Sequence, residues 1–202
     1  MFCIWDDLMN LIPKENMGEY LLSSEIVDFD NELLRQKALE LSKGAKSNIQ
    51  KTKIIYEFVR DEINHSSDIN SNDVVYKASD VLNEGHGLCF GKSHLMAALL
   101  RCENIPAGFC YQKLSTSSGK IFHALNGVYV DEKWFRLDAR GNVGEINAQF
   151  SLNEEKLAYS PKKEIGDVDY PQIYSNPCPE IIKILKINSK LDEAINEIIN
   201  LI

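Results

Sequence analysis

A single cysteine placed where a glycine-broken approach turns into a helix constrains this chain more than any other feature. Gly85-His86-Gly87-Leu88-Cys89-Phe90-Gly91-Lys92-Ser93 leads directly into the apolar run Leu95-Met96-Ala97-Ala98-Leu99-Leu100. The glycines break whatever precedes them, so the pattern predicts a helix opening at Cys89. Unpaired N–H groups and the positive dipole end of a helix stabilise a thiolate, which lowers the thiol pKa and raises the fraction of active nucleophile.

A catalytic thiolate needs a base and a group that orients the base. His123 lies in the β-type run Lys120–Val130, and Asp138 closes Trp134-Phe135-Arg136-Leu137-Asp138 directly after it. The polar segment Asp131-Glu132-Lys133 between them reads as a hairpin turn. Loop length decides whether the two side chains meet, because opposed residues share a face and faces alternate along a strand. With a two-residue loop, Asp131 and Glu132, Val130 opposes Lys133 and Leu125 opposes Asp138, so Asp138 is a diagonal neighbour of His123. A three-residue loop would send them to opposite faces unless a bulge intervened.

The segments ASDVLNEGHGLCFGKSHLMAALLRCENIPAGFCYQKL and HALNGVYVDEKWFRLDARGN, and more loosely IIYEFVRDEINHS upstream, resemble the transglutaminase-like superfamily, papain-like in fold. The likeness covers roughly residues 50 to 145 and extends into AQFSLNEEKLAYS. It implies that Cys89, His123 and Asp138 take the three catalytic positions, and that helices precede an antiparallel sheet in an α+β architecture. The implied chemistry is attack of the Cys89 thiolate on the amide carbonyl of a peptide or protein substrate, with protonation of the leaving amine by His123. Water would then release the thioester in a protease or amidase, and an amine in a transglutaminase. The superfamily also includes inactive members, so the alternative is a peptide- or protein-binding module with an idle triad. Arylamine acetyltransferases use a similar triad, but no further likeness to them is visible.

The backbone N–H of Cys89 supplies one oxyanion donor, and Gln112 and Tyr76 are candidates for a second. Among the other histidines, His94 lies five residues past Cys89, roughly 140° around a helix, and so points elsewhere. His86 is a possible substitute base, and His65 reads first as a solvent-facing loop residue, with a place lining the cleft as its alternative. Cys102 and Cys110 read as small buried hydrophobes. Asp138 has its own bland reading, as a turn residue or a partner of Arg140.

Metal chemistry is disfavoured: His86, Cys89, His94 and Cys102 are separated by two, four and seven residues, without the paired spacing of a zinc site. No EF-hand-like loop implies calcium, and no cofactor is expected. Five cysteines without a CxxC pair, Cys3 and Cys178 among them, fit neither a disulfide framework nor a dithiol redox centre. Free thiols suit a reducing cytoplasm, the expected location. A net charge of −8 without a basic run argues against nucleic acid. No window is long enough to span a membrane, and Met1–Met9 lacks the basic start of a secretory signal.

The 202 residues are expected to form one domain, with a core from about 48 to 145, a helical extension over 1–47 and a wrapping segment over 150–202. Helices are expected at Asn31–Lys43, from an Asn48 cap to Ile63, and briefly at Ala78–Leu82. A turn at Asn104–Gly108 leads to a strand at Phe109–Leu114, and Ser115–Gly119 forms a hairpin loop. Prolines 161, 171, 177 and 179 mark a surface-wrapping tail. Ser189-Lys190-Leu191-Asp192 resembles a capping box, and Leu191, Ile195, Ile198, Ile199 and Ile202 make a stripe that packs on the chain's own core or forms a homodimer contact.

Overall fold

The computed structural model describes residues 9–117 and 119–201. Helices α1 (Glu32–Ser42), α2 (Asn48–Glu62), α3 (Ala78–Glu84) and α4 (Cys89–Cys102) precede the main strands, and α5 (Pro179–Ile187) and α6 (Leu191–Asn200) follow them. The strands are β1 (Ile12–Pro13), β2 (Asn64–His65), β3 (His86–Gly87), β4 (Ala107–Thr116), β5 (Gly119–Val130), β6 (Lys133–Leu137), β7 (Val168–Asp169) and β8 (Gln172–Ile173). Four of them form an antiparallel sheet in the order β6-β5-β4-β7, while β1 pairs with β8 and β2 with β3 in short parallel ladders. The architecture is α+β, as expected.

Helix α4 is the centre of the molecule. Every residue from Phe90 to Arg101 is buried, which is why its apolar residues are not confined to one stripe, and its polar ones, Lys92, Ser93, His94 and Arg101, each bond a backbone carbonyl. Gly91 permits this: a Cβ there would stand 2.8 Å from the Val75 carbonyl oxygen and 2.9 Å from Val81 Cγ2. The first turn of α4 can therefore lie against α3 and the segment before it. Gly85 ends α3 in the left-handed conformation, at φ 70°, and turns the chain into the approach to Cys89. The main core joins α1–α4 to the inner residues of β4 and β5, and a smaller cluster gathers Tyr20, Cys110, Leu125 and Ile173.

Several boundaries differ from expectation for identifiable reasons. Ser47, not Asn48, caps α2, its Oγ accepting from Gln50 N–H at 3.2 Å. The Ser189 capping box does not form: α6 starts after Lys190, which makes no side-chain cap. Asn72 caps that end from across the fold, its carbonyl accepting from Leu191 N–H at 2.8 Å and its Oδ1 from Asp192 N–H at 2.9 Å. The tail contributes β7 to the sheet edge and folds into α5 behind Pro179 at the first helical position. On α6, Leu191, Ala194 and Ile198 are buried in the chain's main core. Cys3 and most of the leading segment, Ser118 of the expected loop, and Ile202 of the stripe lie outside the described residues.

Candidate active site

The β5–β6 hairpin has the two-residue loop. Val130 pairs with Lys133 and Asn126 with Leu137, and Asp131 and Glu132 both take positive φ, 54° and 62°. That backbone matches the tight turn whose twist suits paired strands, and it fixes the alternation. His123 and Asp138 consequently meet: Nε2 of His123 lies 2.8 Å from Asp138 Oδ2, both residues buried. Asp138 also accepts the Arg140 amide on Oδ1 at 3.1 Å and the Ala158 amide on Oδ2 at 2.9 Å. The Arg140 side chain turns away to grip Asp68 through both nitrogens, at 2.6 and 2.8 Å. Asp138 is thus the imidazole's partner and not that of the Arg140 guanidinium.

With Nε2 engaged by Asp138, the other ring nitrogen of His123 is left for the thiol. Burial alone would raise the Cys89 thiol, but hydrogen bonds from His123 and His65, together with the charge of the His123 imidazolium, outweigh it and bring it down to about 6. Burial works against the His123 imidazolium, yet Asp138 and Cys89 hold its pKa well above the ordinary histidine value. Burial likewise disfavours the Asp138 carboxylate, and His123 with the Ala158 and Arg140 amides keeps its pKa below the ordinary range. Cys89 occupies the first position of α4 after Leu88, where backbone N–H groups lack intrahelical partners. The other buried thiols go the opposite way: burial pushes Cys102 up to about 11 and Cys110 up to about 12.

Cys89 and His123 open on a cleft of about 700 Å³, and Asp138 lies buried behind the imidazole. Leu88, Phe90, Ile121 and Phe122, with Ile195 and Ile198 from α6, give it an apolar wall, and Arg140, Glu145, Lys162 and Asp167 bring charge. Tyr159 covers the His123 ring edge-on at 4.9 Å. Together with the Ala158 amide, it lets the segment after β6 shield the His123–Asp138 pair from water.

His65 lines this cleft and is not the solvent-facing residue its polar surroundings suggested. The reason is the parallel pairing of β2 with β3, which sets His65 beside Gly87, two residues before Cys89. Lys92, one turn further along α4, is buried and donates to the carbonyls of Arg60, at 3.4 Å, and Ile63 at the end of α2. Burial pushes its ammonium down to about 7. It anchors the chain just before β2 and so supports the placement of His65.

The remaining candidates lie elsewhere. His86 is buried with Nδ1 3.0 Å from Ser66 Oγ, which removes it as a substitute base. His94 Nδ1 is 2.7 Å from the Tyr76 carbonyl, and burial pushes its pKa down to about 4. Gln112 pairs with His123 across the β4–β5 ladder but is wholly buried, and neither it nor Tyr76 lines the cleft. Among the described residues no three His, Cys, Asp or Glu side chains converge as metal ligands, and no helix is long and apolar enough to cross a membrane. Sequence reasoning ranked His65 second, as an alternative, and missed Tyr159. The first depends on a two-residue ladder without periodic signal, and the second on a segment that is neither helix nor strand.

Comparison with known proteins bears on the fold and the family. A structure of a candidate cysteine protease from Cytophaga hutchinsonii superposes with a TM-score of 0.54 at 22% identity, over 65% of this chain and 46% of that one. This chain therefore spans about half the length of that neighbour. A transglutaminase (TGase) structure aligns with a TM-score of 0.46 at 21% identity, over 70% of this chain and 42% of that one. A search of curated proteins finds no match. The model of the transglutaminase-like superfamily matches residues 35–139, a span that includes Cys89, His123 and Asp138, and the chain belongs to that superfamily.

Proposed function

We propose that this protein catalyses cysteine-dependent acyl transfer from an amide bond of a peptide or protein. The observation that carries the reading is the convergence, in one cleft, of a thiol lowered to about 6 at a helix start and an imidazole held by a buried carboxylate. The Cys89 thiolate forms the S–C bond, and the carbonyl π pair moves onto oxygen. Collapse of that intermediate breaks the C–N bond while the His123 imidazolium passes its proton to the departing amine. The now neutral imidazole takes a proton from the incoming water or amine, and the acyl group leaves sulfur. Asp138 keeps the ring oriented and balances its charge throughout.

The pH dependence of iodoacetamide labelling, read by peptide mass spectrometry, tests this directly. Cys89 is expected to label rapidly down to about pH 6, while Cys102 and Cys110 remain slow. His123→Ala should abolish the advantage at neutral pH. Labelling of Cys89 at the rate of an ordinary thiol in the folded protein would instead leave a peptide-binding cleft without chemistry. Given an activated thiol, screening amide substrates with and without a primary amine separates hydrolysis from transamidation.

A further inference from the structure

We infer that His65 is the second oxyanion donor, its Nε2–H acting beside the backbone N–H of Cys89. The inference rests on the acyl-transfer reading and adds a role for a side chain that the Cys89, His123 and Asp138 constellation does not use.

The backbone of His65 is fixed on both sides. The amide of Asn64 donates to the Gly85 carbonyl at 2.9 Å, and that of Ser66 to the Gly87 carbonyl at 3.1 Å. These bonds hold His65 against the strand that delivers Cys89, and Lys92 ties down the preceding carbonyl of Ile63. The ring lines the same cleft as Cys89 and His123.

The tautomer follows from what surrounds the ring. His65 Nδ1 is buried and has no hydrogen-bond partner. A proton on Nδ1 would leave a buried N–H unpaired, with its full desolvation penalty unmet. The proton therefore resides on Nε2, the nitrogen that can reach the Cys89 sulfur. The sulfur is flanked by two imidazoles with different duties. His123 is tied to a carboxylate and exchanges protons, whereas His65 faces no carboxylate through Nδ1 and is built to keep its N–H.

In the resting state this N–H is the one left to hydrogen-bond Cys89, since Nδ1 has no partner. When sulfur attacks, the negative charge moves from sulfur to the carbonyl oxygen, and the donor follows it without a proton being transferred. The Cys89 amide, free at the helix start, completes a two-donor hole. Gln112 cannot share this role, since it is sealed away from the cleft.

The test compares two reactions of Cys89 at an alkaline pH where its thiolate is fully formed. Alkylation by iodoacetamide expels iodide and develops no oxyanion. Addition to the peptide aldehyde acetyl-Leu-Leu-norleucinal forms a hemithioacetal whose oxygen carries the charge, read as protection of Cys89 from alkylation. His65→Phe keeps a ring but no N–H, and His65→Gln restores a neutral donor. His65→Phe should weaken aldehyde protection about 10²–10³-fold, the usual consequence of removing one oxyanion donor, with a much smaller change in alkylation rate. His65→Gln should recover most of the loss.

Parallel losses in both reactions would make His65 a holder of the thiolate and overturn the inference. So would unchanged protection in His65→Phe, or a reactive wild-type Cys89 that the aldehyde fails to protect. A wild-type Cys89 alkylated no faster than a free thiol would instead sink the acyl-transfer reading itself.

Discussion

Asp138 receives three donors on two oxygens, and this decides what each substitution there does. Asp138→Ala removes both the orientation and the charge, and kcat is expected to fall about 10⁴-fold with the fold retained. Asp138→Asn is milder. Its amide oxygen can keep the bonds from His123 and Ala158, but its NH₂ must face the Arg140 N–H, and the negative charge is gone. Because Asp138 raises the His123 pKa, the neutral amide lets the imidazolium lose its proton at lower pH. The alkaline limb of the kcat/KM profile should therefore move down, while the acid limb, set by Cys89 near 6, moves little. In the wild type, activity is expected to fall below about pH 6 as the thiolate takes up a proton, and to fall again above the raised His123 value as the acid is lost. Alkylation depends on the thiolate alone and should follow the first limb only. At this scale Cys89, His123 and Asp138 were legible from residue type and hairpin arithmetic. His65 was legible only as an alternative, because its place beside Gly87 comes from pairing between segments more than 20 residues apart, and a polar loop composition hides it.

The elements best read from sequence were those with long periodic patterns or a turn of defined length. α1, α2 and the β5–β6 hairpin lie where the apolar spacing put them, and the two-residue loop settles which side of the sheet Asp138 shares. The two-residue strands β2, β3, β7 and β8 carry no period. The cap of α6 could not be seen either, since Asn72 is 120 residues away from the amide it serves. α5 had a readable signal in Pro179 ahead of an Ile-rich stripe, but neighbouring prolines masked it. Gly91 shows how one position sets an inter-element distance. Gly91→Ala would drive a methyl group to 2.8 Å from the Val75 carbonyl, and that backbone cannot swing aside as a side chain could. A loss of about 1–3 kcal/mol is expected from overpacking at such a contact. It should appear as a lower urea midpoint with an unchanged m-value. An unchanged midpoint would mean that α3 and α4 separate freely, contrary to the close approach assigned to this glycine.

Across the whole molecule, the sheet, its edge and the segment that covers the His123–Asp138 pair are held together at one buried charge. Arg136 of β6 is nearly fully buried and reaches Glu155 at 2.7 and 2.5 Å and Asp169 at 2.5 and 2.9 Å. Glu155 lies three residues before Ala158, whose amide binds Asp138, and four before Tyr159, which packs on His123. Asp169 belongs to β7 at the far side of β4, so one guanidinium joins both ends of the wrapping segment to the strand that leads into Asp138. Composition offered no sign of this: an arginine inside an apolar strand pattern reads as an outward-facing residue until the segment that folds over it is known. Replacing Arg136 by Leu fills the space with apolar atoms but strands two carboxylates, and removing one partner of a buried ion pair costs about 3–5 kcal/mol. We expect a lower urea midpoint and earlier proteolytic cleavage between residues 150 and 170 than elsewhere. Acyl transfer should fall further than Cys89 alkylation, because the cover over His123 loosens while the helix start that carries the thiolate stays intact. Equal stability of the Leu variant and unchanged cleavage would show that apolar packing alone holds the wrapping segment in place. The shielding of the His123–Asp138 pair would then rest on Tyr159 and the Ala158 amide without help from the ion pair.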